Sequence, residues 1–142
     1  MSTYERDFYA WTQDQATLLR SHEFARLDIA NLIEEIEAMG RSERRQLTSR
    51  LEVLLIHLLK WQFQPALRGR NWQLTIAEQR RRIGRLLRDN PSLQPELPLL
   101  LTDAYEDARY AASDETSLSL DSFPQTCPFP AQQVLDQGWL PE

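Results

Sequence analysis

The sequence has few of the residues from which catalytic and metal centres are usually built. Its 142 residues include one cysteine, two histidines and four glycines. The single cysteine, Cys127, excludes an internal disulfide and a thiolate metal cluster, and there is no glycine-rich phosphate loop. No apolar run approaches the roughly 18–20 residues of a membrane span, and the charged N-terminus is unlike a secretory signal. We therefore expect a cytoplasmic protein that does not associate with a membrane.

Lysine is nearly absent too, and the basic residues are concentrated in the middle of the chain. Lys60 is the only lysine among 16 basic side chains. Residues 1–40 carry three basic and eight acidic side chains, residues 41–88 carry twelve and three, and residues 89–142 carry one and ten. Such segregation indicates a basic centre between acidic flanks. The flanks outweigh the centre, so the arginines are expected to pair within the protein or between its copies.

Helix-forming residues dominate, and apolar residues recur with the helical period. The pattern predicts one all-α domain over residues 1–142, with a bundle of about five main helices over 1–116. A proline-rich C-terminal tail, 117–142, is expected to pack on that bundle. The predicted helices cover residues 4–20, 28–40, 42–64, 71–89 and 95–113, with a short tail helix over 130–137. No segment alternates with a period of two, so no strand is expected.

The second and third predicted helices are divided at the sequence GRS. Gly40 is a favourable residue just after a helix, and Ser42 is a favourable residue just before one. The second helix carries an apolar stripe, which consists of Ile29, Leu32, Ile33, Ile36 and Met39. The third helix is apolar nearly all round between Leu51 and Leu59, which predicts a central, surrounded position.

Six stretches of the chain resemble a known family in their order. They are DFYAWTQDQATLLR (7–20), LDIANLIEEIEAMGRSERRQL (27–47), HLLKWQFQP (57–65), NWQLTIAEQRRRI (71–83), NPSL (90–93) and FPQTCPF (123–129). Together they are similar to the family of domain of unknown function twenty-nine, a bacterial group abundant in cyanobacteria. The resemblance covers nearly the whole chain and implies an all-helical fold, but no activity, substrate or catalytic residue. The chain departs from the family pattern at Gln73 and Leu74, which leaves the helix start intact.

His57 lies in the most apolar stretch of the chain, VLLIHLLKWQ at 53–62. A buried polar group left unpaired costs about 1–3 kcal/mol, so a central helix requires a partner for it, and Gln79 and Glu35 are the candidates. The favoured interpretation is a buried polar linkage that sets helix register. The alternative is a hydrolase or metalloprotein centred on His57 and Glu35. Since no Glu-x-x-His spacing occurs, no metal and no cofactor is expected.

Two arginine-rich runs, residues 40–50 and 78–88, are the remaining candidate site. In the second run Arg81, Arg85 and Arg88 point away from the apolar face of their predicted helix, and Arg44 and Arg45 belong to the first run. A basic face of this kind is typical of phosphate contact, which suggests a nucleic-acid-associated, toxin–antitoxin-like regulatory module. The favoured hypothesis is a non-enzymatic interaction or regulatory module that binds a protein partner or a second copy.

Overall fold

The computed structural model describes residues 2–142, and its regular structure is helical. The α-helices of this part of the chain are α1 (Thr3–Arg6), α2 (Phe8–Arg20), α3 (Ile29–Phe63), α4 (Arg70–Asp89), α5 (Leu97–Thr116) and α6 (Ala131–Leu135). Short 3₁₀ turns connect several of them, and residues 2–142 contain no strand. The predicted all-α fold is confirmed. Across the same residues, every helix is too short or too polar to cross a bilayer.

The positions of α4 and α5 agree with their helix signals. α4 ends at Asp89, because the residue before a proline disfavours the helical conformation and Asn90 precedes one. Pro98 lies in the first turn of α5, a position at which proline is tolerated. Pro95 lies inside the preceding 3₁₀ helix, Pro91–Glu96, so α5 begins at Leu97, two residues later than predicted. α5 runs three residues beyond its predicted end and stops where Ser117 adopts the left-handed conformation with φ 61°.

The largest departure from the prediction is α3, a single helix of 35 residues where the sequence predicts two. Gly40 and Ser42 both lie inside it, and no glycine among residues 2–142 has a positive φ. The predicted helix end at Gly40 is therefore wrong. An interior glycine costs about 1 kcal/mol relative to alanine. Ending one helix and nucleating another costs more, because nucleation fixes several dihedral angles for a single hydrogen bond. The continuous helix is therefore favoured.

The chain forms two compact units, Met1–Ser42 and Glu43–Glu142, and residues 29–42 of α3 belong to the first. Polar contacts join the elements of the first unit. The indole Nε1 of Trp11 donates to Asp28 Oδ2 at 2.9 Å, and Asp28 N donates to Gln15 Oε1 at 2.8 Å. Tyr4 also donates from its hydroxyl to Glu35. The prediction of a single domain over residues 1–142 stays a prediction.

The second unit has an apolar core built around residues 47–61 of α3. Leu47, Leu51, Leu54, Leu55, Leu58 and Leu59 are fully buried there, together with Ile76 and Ile83 of α4 and Leu100, Ala104 and Ala108 of α5. Phe123, Phe129 and Val134 bring the C-terminal tail into the same core. The leucine-rich face of this part of α3 thus lies in the core, whereas Val53 and His57 on another side of the helix are only partly buried.

A buried arginine ties the tail to α4. Arg80 is only 5% exposed. Its Nε donates to the carbonyl oxygen of Val134 at 2.7 Å, and its Nη2 donates to that of Gln133 at 3.2 Å. These two carbonyls lie at the C-terminal end of α6, where the last backbone acceptors lack the usual helical partner. The carbonyl of Gln133 also accepts from Asp136 N at 3.2 Å. The sequence interpretation missed Arg80, because four of its neighbours are also arginines and only packing distinguishes it from them.

Candidate functional site

The structure places His57 on α3 with a local hydrogen-bond partner. Its Nδ1 lies 2.8 Å from the carbonyl oxygen of Val53, one turn earlier in the same helix. With the proton on Nδ1, the ring donates to that oxygen. The other predicted partners are engaged elsewhere: Gln79 Oε1 accepts from Arg50 Nη1 at 3.3 Å, and Glu35 accepts from a tyrosine hydroxyl. The partner predicted for His57 was wrong, because a backbone carbonyl of its own helix satisfies the ring.

The environment of His57 favours the neutral ring. Burial is the largest influence and lowers its pKa, and the positive charge of Lys60 lowers it further. The carbonyl of Val53 and the carboxylate of Glu115 act in the opposite direction. Lys60 itself donates to Glu115 at 2.7 Å. Within residues 2–142, no three His, Cys, Asp or Glu side chains are grouped so as to hold a metal ion, and the catalytic interpretation of His57, Glu35 and Gln79 stays a prediction.

We expect the free energy of unfolding to decrease as the pH falls below about 6.5, the ordinary pKa of histidine. In the unfolded chain His57 takes up a proton near that pH, whereas in the folded protein burial keeps its pKa lower. The unfolded state therefore binds more protons between the two pKa values, and acidification through that window favours unfolding. Urea titrations at about pH 8 and about pH 5 measure the decrease.

Two variants assign this pH dependence to one histidine. His57→Leu removes the titrating ring and should reduce the difference between the two pH values. His22→Asn is the matched control, because His22 is exposed and has φ 58°, a conformation that asparagine tolerates. An unchanged pH dependence in His57→Leu would show that other groups cause it.

The arginines predicted to bind a partner are divided between paired and unpaired ones. Arg44 Nε donates to Glu96 Oε1 at 2.8 Å. Arg81 and Arg82 both bond Glu78, one helical turn away. Of these pairs only Arg44–Glu96 joins the basic centre to an acidic flank, as the excess of acidic residues predicts, because Glu78 belongs to the centre itself. The other three arginines of the predicted set, Arg45, Arg85 and Arg88, make no ion pair within residues 2–142 and are exposed.

Some of these arginines meet in a cleft of about 390 Å³ in the second unit. This arginine cleft is formed by α3 and α4 and is lined by Gln46, Arg50, Arg81, Arg82, Arg85, Leu86 and Asp89. It includes Arg81 and Arg85 of the predicted set, but not Arg88, Arg44 or Arg45. The sequence analysis did not select Arg50 and Arg82, although both lie in the arginine-rich runs. Only the packing of α3 against α4 shows that Arg50 joins the α4 arginines.

A second cavity of the second unit, about 660 Å³, lies between α5 and the tail. Two of the polar side chains that line it donate to backbone carbonyls of the tail: Tyr105 donates from its hydroxyl to Pro124 O at 2.6 Å, and Arg109 donates from Nε to Phe123 O at 3.1 Å. Burial raises the pKa of the Cys127 thiol, which favours the protonated and less reactive form. These groups anchor the tail, and Cys127 packs there as a small apolar side chain.

The first unit exposes an apolar stripe on α3. Four of the five residues of the predicted stripe, namely Ile29, Ile33, Ile36 and Met39, are 51–61% exposed, and Leu32 is partly buried. Spacings of four and three residues place these side chains on one helix face. Ordinarily such a face of an amphipathic helix is covered. Glu35 and Glu37 border it on either side.

Exposed apolar side chains are concentrated in this first unit as a whole. Of the twelve large exposed apolar side chains within residues 2–142, eight belong to it, including Phe8, Tyr9, Leu19 and Phe24. The much longer second unit contributes four, which are Leu67, Leu74, Leu99 and Tyr110. Because single exposed apolar residues are normal and clustered ones mark interaction sites, the first unit is the stronger candidate for a protein interface.

Comparison with known proteins gives a family but no characterised relative. A family model described as "Domain of unknown function DUF29" matches residues 3–140. No curated protein and no solved structure matches the chain. The match covers almost the whole chain, as the resemblance of its sequence stretches predicts.

Proposed function

The chain belongs to the DUF29 family, a domain of unknown function, and we propose that it is a protein-interaction module whose first unit binds a helix of a partner protein. The observation that carries the proposal is the apolar stripe. Four large apolar side chains are half exposed or more on one face of α3. Burying a whole isoleucine or methionine side chain contributes about 1.5–3 kcal/mol, so covering the exposed half of each contributes about 1 kcal/mol.

The charges beside the stripe specify the chemistry of the partner. Glu35 and Glu37 border it, and the first unit holds eight acidic and four basic residues. A partner helix with an apolar face and flanking lysines or arginines complements this surface, in the manner of an amphipathic helix laid against an apolar face. The potentials on the two sides of such an interface then have opposite sign.

A second copy of the chain is the less favourable occupant of the stripe. In a two-fold symmetric contact each copy presents the same patch, so stripe on stripe would place acidic borders against acidic borders. Like charges facing each other at an interface cost free energy. Charge complementarity therefore favours a basic partner protein over self-association through this face.

We expect the full chain to bind a synthetic amphipathic helix with a leucine face and lysine flanks, and to bind the same helix with glutamate flanks much more weakly. Fluorescence anisotropy of the labelled peptides measures both affinities. The double variant Ile33→Ser/Ile36→Ser should weaken binding of the lysine-flanked peptide about 30-fold, because two half-side-chain burials of about 1 kcal/mol each are lost.

The matched control is Leu74→Ser/Leu99→Ser, which changes two exposed leucines of the second unit. It should bind the peptide as the unchanged protein does. Equal losses in both double variants would show non-specific apolar adsorption. A dimer in solution that only the stripe variant dissociates would show that a second copy occupies the stripe. Either result would contradict the proposal.

The nucleic-acid interpretation of Arg44, Arg45, Arg81, Arg85 and Arg88 stays a prediction. Gel shifts at low and high salt test it, because phosphate contacts release counterions and weaken steeply with salt.

A further inference from the structure

We infer that the arginine cleft of the second unit binds a small anion that carries two or more phosphate groups. The lining of the cleft belongs to the second unit and contains no residue of the apolar stripe, and this inference is independent of the proposed protein partner. It depends on three features, which are the charge balance of the cleft, its hydrogen-bond donors and its size.

Positive charge in the cleft exceeds the negative charge beside it. Four guanidinium groups line it, from Arg50 on α3 and from Arg81, Arg82 and Arg85 on α4. Arg81 and Arg82 share one carboxylate, that of Glu78. The other two arginines make no ion pair within residues 2–142. Since like charges held close together repel, an anion between the two helices would stabilise this arrangement.

The donors that remain suit phosphate oxygens. A guanidinium carries five N–H groups in a planar fork that matches phosphate geometry. Arg50 donates one of its N–H groups to Gln79 Oε1 at 3.3 Å, a long contact that leaves its other donors available. Gln46 lies one turn before Arg50 on the same side of α3 and adds an amide donor to the cleft. Two helices thus present donors to the same volume.

The volume of the cleft and the carboxylate on its lining favour a small ligand over a nucleic-acid strand. Its volume of about 390 Å³ lies in the usual range of small-molecule sites, about 300–1,000 Å³. Asp89 lies on its lining and adds a negative charge. A polymer of phosphates laid along the whole cleft would meet this carboxylate, whereas a small anion held by the arginines would not.

Isothermal titration calorimetry of the full chain with pyrophosphate and with tripolyphosphate, at low and at physiological salt, tests the inference. We expect binding of both, tighter for tripolyphosphate, and a rise in melting temperature on binding. Arg50→Gln and Arg85→Gln should each weaken binding about tenfold, which corresponds to about 1.4 kcal/mol, because each removes charged hydrogen-bond donors from the cleft. Arg85 is exposed, so its variant keeps the test valid if Arg50→Gln does not fold.

Arg45→Gln and Arg88→Gln are the matched controls, because both arginines are exposed and neither lines the cleft. Each should leave the affinity for tripolyphosphate within about twofold of the unchanged protein. Three results would overturn the inference. The first is that neither anion gives a heat of binding at low salt, and the second is that the cleft and control variants lose affinity equally. The third is that a single-stranded oligonucleotide binds more tightly than tripolyphosphate and that its binding requires Arg45 and Arg88.

Discussion

Replacing Gly40 by proline is expected to destabilise the protein by about 3 kcal/mol or more, and replacing it by alanine is expected to stabilise it by about 0.5–1 kcal/mol. Gly40 lies in the interior of α3. Proline would remove one hydrogen bond of the helix and clash with the carbonyl of Ile36. A Cβ at Gly40 would meet no atom within 4 Å, so alanine gains helix propensity without a clash. Urea unfolding of both variants measures the two changes.

The sign of the alanine effect distinguishes one long helix from two short ones. If Gly40 followed a helix end in the left-handed conformation, alanine there would destabilise the protein, because a side chain disfavours positive φ. Gly84→Ala is the matched control. Gly84 lies inside α4, and its Cβ would be in ordinary contact with Arg88 Nη1 at 3.6 Å. Gains of similar size at both glycines are expected, and opposite signs would contradict the continuous α3.

Replacing Arg80 by alanine is expected to destabilise the second unit by about 3 kcal/mol. The variant loses two hydrogen bonds from a charged donor, and the carbonyl of Val134 is left without its side-chain partner, whereas that of Gln133 keeps the N–H of Asp136. A buried acceptor without a donor costs free energy in the folded state only. Urea unfolding measures the loss, and faster amide exchange at residues 131–135 should show that the tail helix is released.

Two further variants show whether the cost at Arg80 comes from these hydrogen bonds. Arg82→Ala removes an exposed arginine from the same helix and should change stability by less than about 0.5 kcal/mol. Arg80→Lys keeps the charge but lacks the planar fork, and should fall between alanine and arginine. A loss at Arg80→Ala no larger than at Arg82→Ala would contradict the role of this side chain in holding the tail.

The apolar pattern of the chain was sufficient to predict the class of fold and most of the core. Leu51 to Leu59 read as apolar nearly all round, and most residues of this part of α3 are in the core. Asn90–Pro91 coincides with the end of α4 and Pro98 with the first turn of α5, because the ring of proline acts on its immediate neighbours. Effects of this kind are local, and a sequence of one chain contains them in full.

The candidate sites depended on contacts that a sequence does not contain. His57 bonds the carbonyl of Val53 rather than a side chain of another helix, and a helical wheel shows faces but not which acceptor a ring selects. The wheel also gave the apolar stripe of α3 but not its exposure, because exposure depends on which helices pack against it.

By itself, the sequence determined that this protein is helical, where its prolines end helices and which apolar residues share a face, since propensity and periodicity act within a few residues. The tertiary structure alone decided that α3 continues through Gly40, that Arg80 is buried among equivalent-looking arginines, and that Arg50 joins Arg81, Arg82 and Arg85 in one cleft. At Gly40 one interior glycine costs less than ending one helix and nucleating another. The positions of Arg80 and Arg50 depend on contacts with residues distant in sequence, which only packing brings together.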